Sequence, residues 1–288
     1  MLIALAAFLA WPAAADEGMW PYYQFPKDVV LQKYKFEVTT DFLDHLRQAT
    51  VRIGEGSGAF VSPNGLLLTS RQIAAECLAK LSSAQHDYSK DGFYASTESA
   101  EPQCPGLEAE VLLRIEDVTN KVKGAADYPD ATGTPRVEFG VVKGYIDRAG
   151  VAMPYASTFS GLFYRQNNEG PYQVPKRWVD LKSELSQTVP LDFVSTCDIG
   201  GGDYGSPTVN RAGDLVGVTF DGNLESLPGV YLYSDEQARA VHVAVGGILE
   251  SLEKIYKATP LLRELGLTAP PPSASAGTRT FGPLHRSH

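Results

Sequence analysis

Gly200-Gly201-Gly202-Asp203-Tyr204-Gly205-Ser206-Pro207, followed by TVNRAGDLVGVTFDGNLES over residues 208–226, decides the fold. Glycine is dense from Gly200 to Gly205, and such a loop bends freely because glycine tolerates positive φ. Thr208-Val209 reads as a strand, Asn210 to Asp214 as a turn and Leu215 to Phe220 as the returning strand, so a hairpin follows the loop. A tight glycine turn before a hairpin can aim two backbone N–H groups at one point, the donor arrangement that stabilises an oxyanion.

Outward from this core the strand signals continue. Asp192 to Thr196 is a strand leading into the loop, and Gly229 to Tyr233, Val137 to Tyr145 and Ser160 to Arg165 read as further strands. Nearer the N-terminus, Val51 to Ile53, Ala59 to Ser62 and Leu66 to Thr69 form a strand series. The Gly54–Gly58 bend and the Pro63-Asn64-Gly65 turn punctuate it. Val111 to Ile115 adds one more strand. Asp41 to Arg47, Gln72 to Ser83 and Glu236 to Leu265 have helical spacing, the last interrupted near Gly246-Gly247 and at Pro260. His242 falls in that closing helical stretch. With 288 residues, 27 glycines and 19 prolines, the chain suits many short strands joined by turns.

Leu2 to Trp11 is apolar, and Ala13-Ala14-Ala15 precedes Asp16 as a small-residue cleavage site. Residues 1–15 are therefore expected to be a signal peptide cut near Ala15, giving a periplasmic or secreted protein; the alternative is a buried N-terminal helix. The apolar run is too short to span a bilayer, so no membrane association is expected. A net charge of −9 without a basic run argues against nucleic acid. The chain has three cysteines. In an oxidising compartment Cys77 and Cys104, which flank one connected stretch, are the expected pair, with Cys197 left as a thiol. No CxxC or His/Cys cluster exists, so neither a metal nor another cofactor is expected. Residues 123–135 read as a polar linker between a first unit (16–122) and a second (136–267). The tail 268–288 reads as disordered.

The 200–226 stretch resembles the bacterial periplasmic dipeptidyl-peptidase family of serine peptidases, which carries GGNSGSP and then a GELVGLxFDGNxES run. Gly58 to Thr69 (GAFVSPNGLLLT) is similar to the hairpin that leads to that family's TNHHC. Asp87 to Ala95, Ile115 to Thr119, Gly140 to Tyr145 and Phe193 to Asp198 match further blocks. The resemblance implies a mostly-β, chymotrypsin-like double β-barrel with a C-terminal helix. The first barrel would be incomplete and the family's inserted helical domain missing. It places Tyr204 at the nucleophile position and Gln72 at the histidine position, since Thr69-Ser70-Arg71-Gln72-Ile73 stands where TNHHC is expected. The family's aspartate lies in a middle section that has no counterpart here.

These departures set the chemistry. A phenol with a pKa near ~10 needs a strong base to attack an amide, and a glutamine amide does not accept a proton near neutral pH. Ser206 is expected to face structure, and His45, His86 and His242 to be structural. The resemblance also implies an oxyanion remnant at the N–H groups of Gly202 and Tyr204, with the tyrosine ring filling the cleft. Asp221 would hold a peptide's free amine, and Gly222 would set the depth of the first pocket. Alternatively, Asp221-Gly222-Asn223 is only a turn. The expectation is a pseudopeptidase that binds peptides or regulates. The alternative is an active dipeptidyl aminopeptidase using other residues or a partner chain. An oligomer or protein partner would cover the incomplete barrel.

Overall fold

The structure is a computed structural model that describes residues 18–115, 134–167, 169–231 and 233–267. The expected leader, the tail from 268, residues 123–133 of the linker and the block after Ile115 lie outside the described residues.

The chain opens with β1 (Trp20–Pro21), α1 (Lys27–Tyr34) and α2 (Thr40–Ala49). Thr39 starts α2 by accepting a hydrogen bond from the Phe42 N–H at 3.1 Å. The two helices bury Val30, Val38 and Leu43 against a set of aromatic rings that includes Phe139 from much later in the chain. β2 (Thr50–Ile53), β3 (Gly56–Phe60) and β4 (Leu67–Thr69) follow, then α3 (Arg71–Leu81), α4 (Tyr88–Asp91) and β5 (Ala109–Val111). The four strands form an antiparallel sheet in the order β4-β3-β2-β5. Val51 and Ile53 alternate with exposed Arg52, so this sheet buries one face. Cys77 on α3 is disulfide-bonded to Cys104, with Cα atoms 5.4 Å apart, which ties the helix to the approach of β5.

Beyond the undescribed stretch come β6 (Arg136–Val137), β7 (Tyr145–Ile146), β8 (Ala152–Met153), β9 (Ala156–Thr158), α5 (Phe159–Arg165), α6 (Lys176–Asp180), β10 (Pro190–Ser195), β11 (Pro207–Val209), β12 (Leu215–Gly222), β13 (Ala240–Ala244), α7 (Val245–Glu250) and α8 (Thr259–Glu264). Five of these strands make a second antiparallel sheet in the order β11-β12-β13-β10-β9. The fold is therefore built around two antiparallel sheets. Neither closes into a barrel among the described residues. β1 pairs with β6, so the N-terminal strand is stitched to residues on the far side of the linker.

Several local expectations are corrected. Ser160 to Arg165 is helical. Phe159 and Phe163, one turn apart, both enter the core with Val174, Leu185 and Ile255, and Thr158 caps the helix. Leu224–Val230 is a 3₁₀ turn holding Pro228, in place of a strand beginning at Gly229. The bend after β2 is tighter than Gly54 to Gly58, because Gly56 already pairs with Ile53. The strand near Val111 ends at that residue rather than continuing to Ile115. Val137 to Tyr145 is strand only at its ends. Between them Val141 exchanges hydrogen bonds with Thr196 (Thr196 N–H to Val141 O, 2.9 Å; Val141 N–H to Thr196 Oγ1, 3.0 Å), and one of these uses a side chain. Finally, Arg239 to Val243 is no helix. Residues 240–244 are the middle strand of the second sheet and His242 is a strand residue, because burial alternates along it with period two.

Candidate functional site

The glycine loop sits where the two sheets meet, and its shape follows from its own hydrogen bonds. Gly202 and Gly205 hold φ of 97° and 91°, open to glycine without strain. The Gly200 N–H donates to Asp203 Oδ2 at 2.6 Å and the Ser206 N–H to Asp203 O at 2.9 Å, so Asp203 folds the loop around itself. Gly205 N–H reaches Thr219 O (2.8 Å) and Thr219 N–H reaches Ser206 O (2.9 Å), fastening the loop to β12.

The first sheet grips the same loop. Ser57 on β3 donates from its N–H to Tyr204 O at 2.9 Å and from Oγ to Gly202 O at 3.1 Å. Thr69 Oγ1 in turn donates to Ser57 O at 2.6 Å. The approach requires glycine on both sides: a Cβ on Gly205 would strike Ser57 O and Thr69 Oγ1, and one on Gly56 would strike Tyr204 O. Ser57 carries no signal in the sequence, because a serine inside GEGSGAF reads as turn chemistry.

Gln72 lies at the start of α3 and its Nε2 donates across the junction to Phe220 O at 3.1 Å. Phe220 is the residue at which the β12–β13 register shifts, between Thr219 and Asp221, so its carbonyl lies at an irregularity of the ladder. The structure thus brings Gln72, Gly202 and Tyr204 to one junction. Tyr204 is 41% exposed. Ser206 spends its N–H and C=O on the loop and β12.

Asp221 and Gly222 end β12, paired with Val241 and Ala240. The Asp221 carboxylate accepts from the Gly222 N–H at 2.8 Å, and Ser226 Oγ and Ile199 occupy the space beside Gly222. Of the described histidines, His45 is exposed on α2 and His86 stacks on Tyr88. His242 is 1% exposed. Its Nε2 shares a hydrogen bond with Ser195 Oγ (2.8 Å), and its Nδ1 with the hydroxyls of Thr208 (2.9 Å) and Thr219 (3.0 Å). Both ring nitrogens are occupied inside the sheet, and burial lowers its pKa to about 4.

Two acids beside the loop, Glu138 and Asp203, are shifted by their surroundings. The Glu138 carboxyl hydrogen-bonds the Asp203 carboxyl, and burial first, then the charges of Asp203 and Asp198, push Glu138 well above the usual carboxylate range. Burial raises Asp203 to about 6, opposed by the hydrogen bonds from Gly200 and Glu138. No group of three or more His, Cys, Asp or Glu side chains suited to a metal occurs among the described residues.

Known proteins are similar to this chain. The family model Peptidase S46 matches residues 15–127 and 123–267. The Asp/Glu-specific dipeptidyl-peptidase of Shewanella putrefaciens is 29% identical over 170 residues, 49% of this chain and 23% of that protein. Dipeptidyl-peptidase 7 of Phocaeicola vulgatus is 32% identical over 146 residues, 48% of this chain and 20% of the relative. The crystal structure of Porphyromonas endodontalis DPP11 in complex with the dipeptide Arg-Asp aligns with a TM-score of 0.45 and 26% identity, covering 51% of this chain and 23% of that one. The matched regions thus amount to less than a quarter of the length of these relatives.

Proposed function

Since the chain belongs to the Peptidase S46 family of dipeptidyl-peptidases, we propose that it is a pseudopeptidase of that family: a periplasmic or secreted protein that holds peptides without cutting them. One observation carries the reading. Where the resemblance puts a serine peptidase's nucleophile and base, this chain has Tyr204 and Gln72, and the Gln72 amide is engaged with Phe220 O. Acyl transfer of this type needs an activated oxygen and a proton acceptor within hydrogen-bond reach. A phenol and an amide supply neither. His242, one side chain removed from the loop through Thr219, is enclosed in the second sheet with both nitrogens engaged.

What remains suits binding. The loop still turns at Gly202, Asp221 lies exposed at the end of β12, and the two sheets remain apposed. The Cys77–Cys104 bridge fits an oxidising compartment and so supports export after cleavage near Ala15. A second copy or a partner protein over the edge strands of the first sheet belongs to the same proposal.

The test is direct. The purified protein is offered fluorogenic dipeptidyl substrates with acidic and with apolar penultimate residues, and separately a fluorophosphonate probe. The expected result is no turnover and no label. Turnover that copurifies with the chain and disappears in Tyr204→Phe or Ser206→Ala would replace this reading with an active dipeptidyl-peptidase that uses other groups. Turnover unchanged by those substitutions and removed by further purification would be a contaminant and leave the reading standing.

A further inference from the structure

The first sheet ends at β5, and among the described residues no strand pairs with its outer side. The register shows what that edge offers. A two-residue turn joins β2 to β3, with Ile53 opposite Gly56, so Ile53 and Val51 bond towards β3 and Arg52 bonds towards β5. The bond from Gly54 N–H to Glu108 O at 3.4 Å keeps the same alternation. Glu110, opposite Arg52, therefore spends its N–H and C=O on β2, whereas Ala109 and Val111 direct theirs away from the sheet. Side chains alternate as well. Val111 shares a face with buried Val51, and Leu113 and Ile115 follow at period two, yet Val111 is 36% and Leu113 83% exposed. Glu110 lies on the opposite face, where its carboxylate meets Arg52 at 3.3 Å. β5 stops at Val111 because β2 has nothing further to pair with it: Thr50 follows directly from α2. Just past the strand, the Arg47 guanidinium donates to Leu112 O at 2.6 Å and Leu113 O at 2.9 Å and ties the chain to α2.

We propose that residues 109–115 are a self-complementary edge through which two copies of this chain pair antiparallel about a two-fold axis at Leu112. The inference deepens the partner part of the reading above and commits it to one occupant, a second copy. The segment reads Ala109-Glu110-Val111-Leu112-Leu113-Arg114-Ile115. With Leu112 opposite its own copy, Glu110 of each chain stands opposite Arg114 of the other, and Val111 opposite Leu113. Opposite charges are matched twice, and the exposed apolar side chains meet each other. The pairs that exchange backbone hydrogen bonds are then Val111 with Leu113 and Ala109 with Ile115, in keeping with the outward groups of Ala109 and Val111. Leu113 O can accept from the other copy and keep Arg47, since a carbonyl has two lone pairs. An axis at Val111 would set Glu110 against Leu112, and an axis at Glu110 would set that carboxylate against itself. Exposed edges are commonly blunted by lysine, proline or unmatched charge. Residues 109–115 hold no lysine or proline, and their two charges are of opposite sign and equidistant from Leu112.

Sedimentation equilibrium of the purified full chain reads the association directly. The mass should rise with concentration and level off at two chains. Glu110→Arg and Arg114→Glu each set like charges against each other at both symmetry-related positions, and each should weaken association at least about tenfold. Mixed in equal amounts, the two variants should recover the dimer, because one chain then presents only positive charge at these positions and the other only negative. On a Cys197→Ser background, Leu112→Cys should link two copies under mild oxidation, since residues opposed in a non-hydrogen-bonded pair have Cα atoms about 4.5 Å apart, within reach of a disulfide. Val111→Cys, which does not face itself, should not. A mass of one chain at every concentration would overturn the proposal, and so would a dimer that neither charge substitution weakens. A mixture that stays monomeric while both variants are folded would do the same. If a charge variant fails to fold, the mass of the unmodified chain and the Leu112→Cys cross-link still decide. The peptidase assay is a separate readout: a monomer without turnover removes this edge and leaves the pseudopeptidase reading, and a dimer with turnover does the reverse.

Discussion

His242 shows how a single enclosed side chain constrains the molecule. Its ring stacks on Phe193 at 4.7 Å, and three hydroxyls occupy its nitrogens. A proton added there must displace one of these bonds in a dry interior, so the folded form holds the ring neutral down to about pH 4, whereas an unfolded histidine protonates near 6.5. A lowered folded pKa means stability is lost as pH falls from 6.5 towards 4. The gap amounts to about 3 kcal/mol at the acid end. Asp203 acts in the opposite sense over much of the same range, so the measurement is a comparison. Urea unfolding at about pH 7, 5.5 and 4 should give a steeper acid loss for the parent than for His242→Asn, the variant being less stable at neutral pH. Gln72→His with Tyr204→Ser restores the two residue types of a peptidase but not the aspartate that the resemblance assigns to a middle section without counterpart here. Losing the orientation that such an acid gives the imidazole costs about 10⁴ in kcat in a complete triad. The double variant should therefore remain at least about a thousandfold below a competent dipeptidyl-peptidase in a fluorogenic assay. A rate close to that of a competent enzyme would mean that another group orients the introduced ring.

At the scale of elements, what the sequence reveals depends on punctuation. β2, β3 and β4 are legible because the glycines from Gly54 and the turn Pro63-Asn64-Gly65 mark their ends, and α2 and α3 are legible from their periodicity. β13 is not, because Ala-Val-His-Val-Ala runs without a break into α7, and a short apolar run beside a helix carries no clear period. What makes it a strand is its place between β12 and β10, a contact between distant segments. The site divides in the same way. The positions of Gln72 and Tyr204 rest on local motifs, whereas Ser57 acts on a residue 145 positions away and Glu138 on a different segment again. The Cys77–Cys104 bridge closes a 27-residue separation around α3 and α4. Loop entropy assigns such a closure about 3–4 kcal/mol. Cys77→Ser with Cys104→Ser should lower the urea-derived stability by about that amount, with amide protection lost first in α3 and β5. A loss confined to β10–β13 would contradict it.

The whole molecule joins two halves of unequal independence. The second sheet is pinned from within by the His242 network and by Arg239, a fully buried side chain whose guanidinium donates to the carbonyls of Lys143 (2.9 Å), Gly144 (2.8 Å), Asp235 (2.8 Å) and Ala238 (2.6 Å). The cluster of Phe159, Phe163, Val174, Leu185 and Ile255 adds an apolar core to the same half. The first sheet buries Val51, Ile53 and Ala59 and leans on the disulfide and on its hold over the glycine loop. That hold needs Gly205, where φ is positive and any Cβ meets Ser57 O. Gly205→Val therefore strains the turn and pushes the sheets apart, at a cost of several kcal/mol, on the order of 3 or more. In the parent, calorimetry near pH 5 should show one unfolding transition reported alike by both halves. In Gly205→Val the transition should split, the first sheet melting earlier while exchange protection at Val218 and Val243 survives to a higher temperature. A single, uniformly lowered transition would mean that the second sheet cannot stand without the first, and that the junction is part of the core rather than a contact between two folded surfaces.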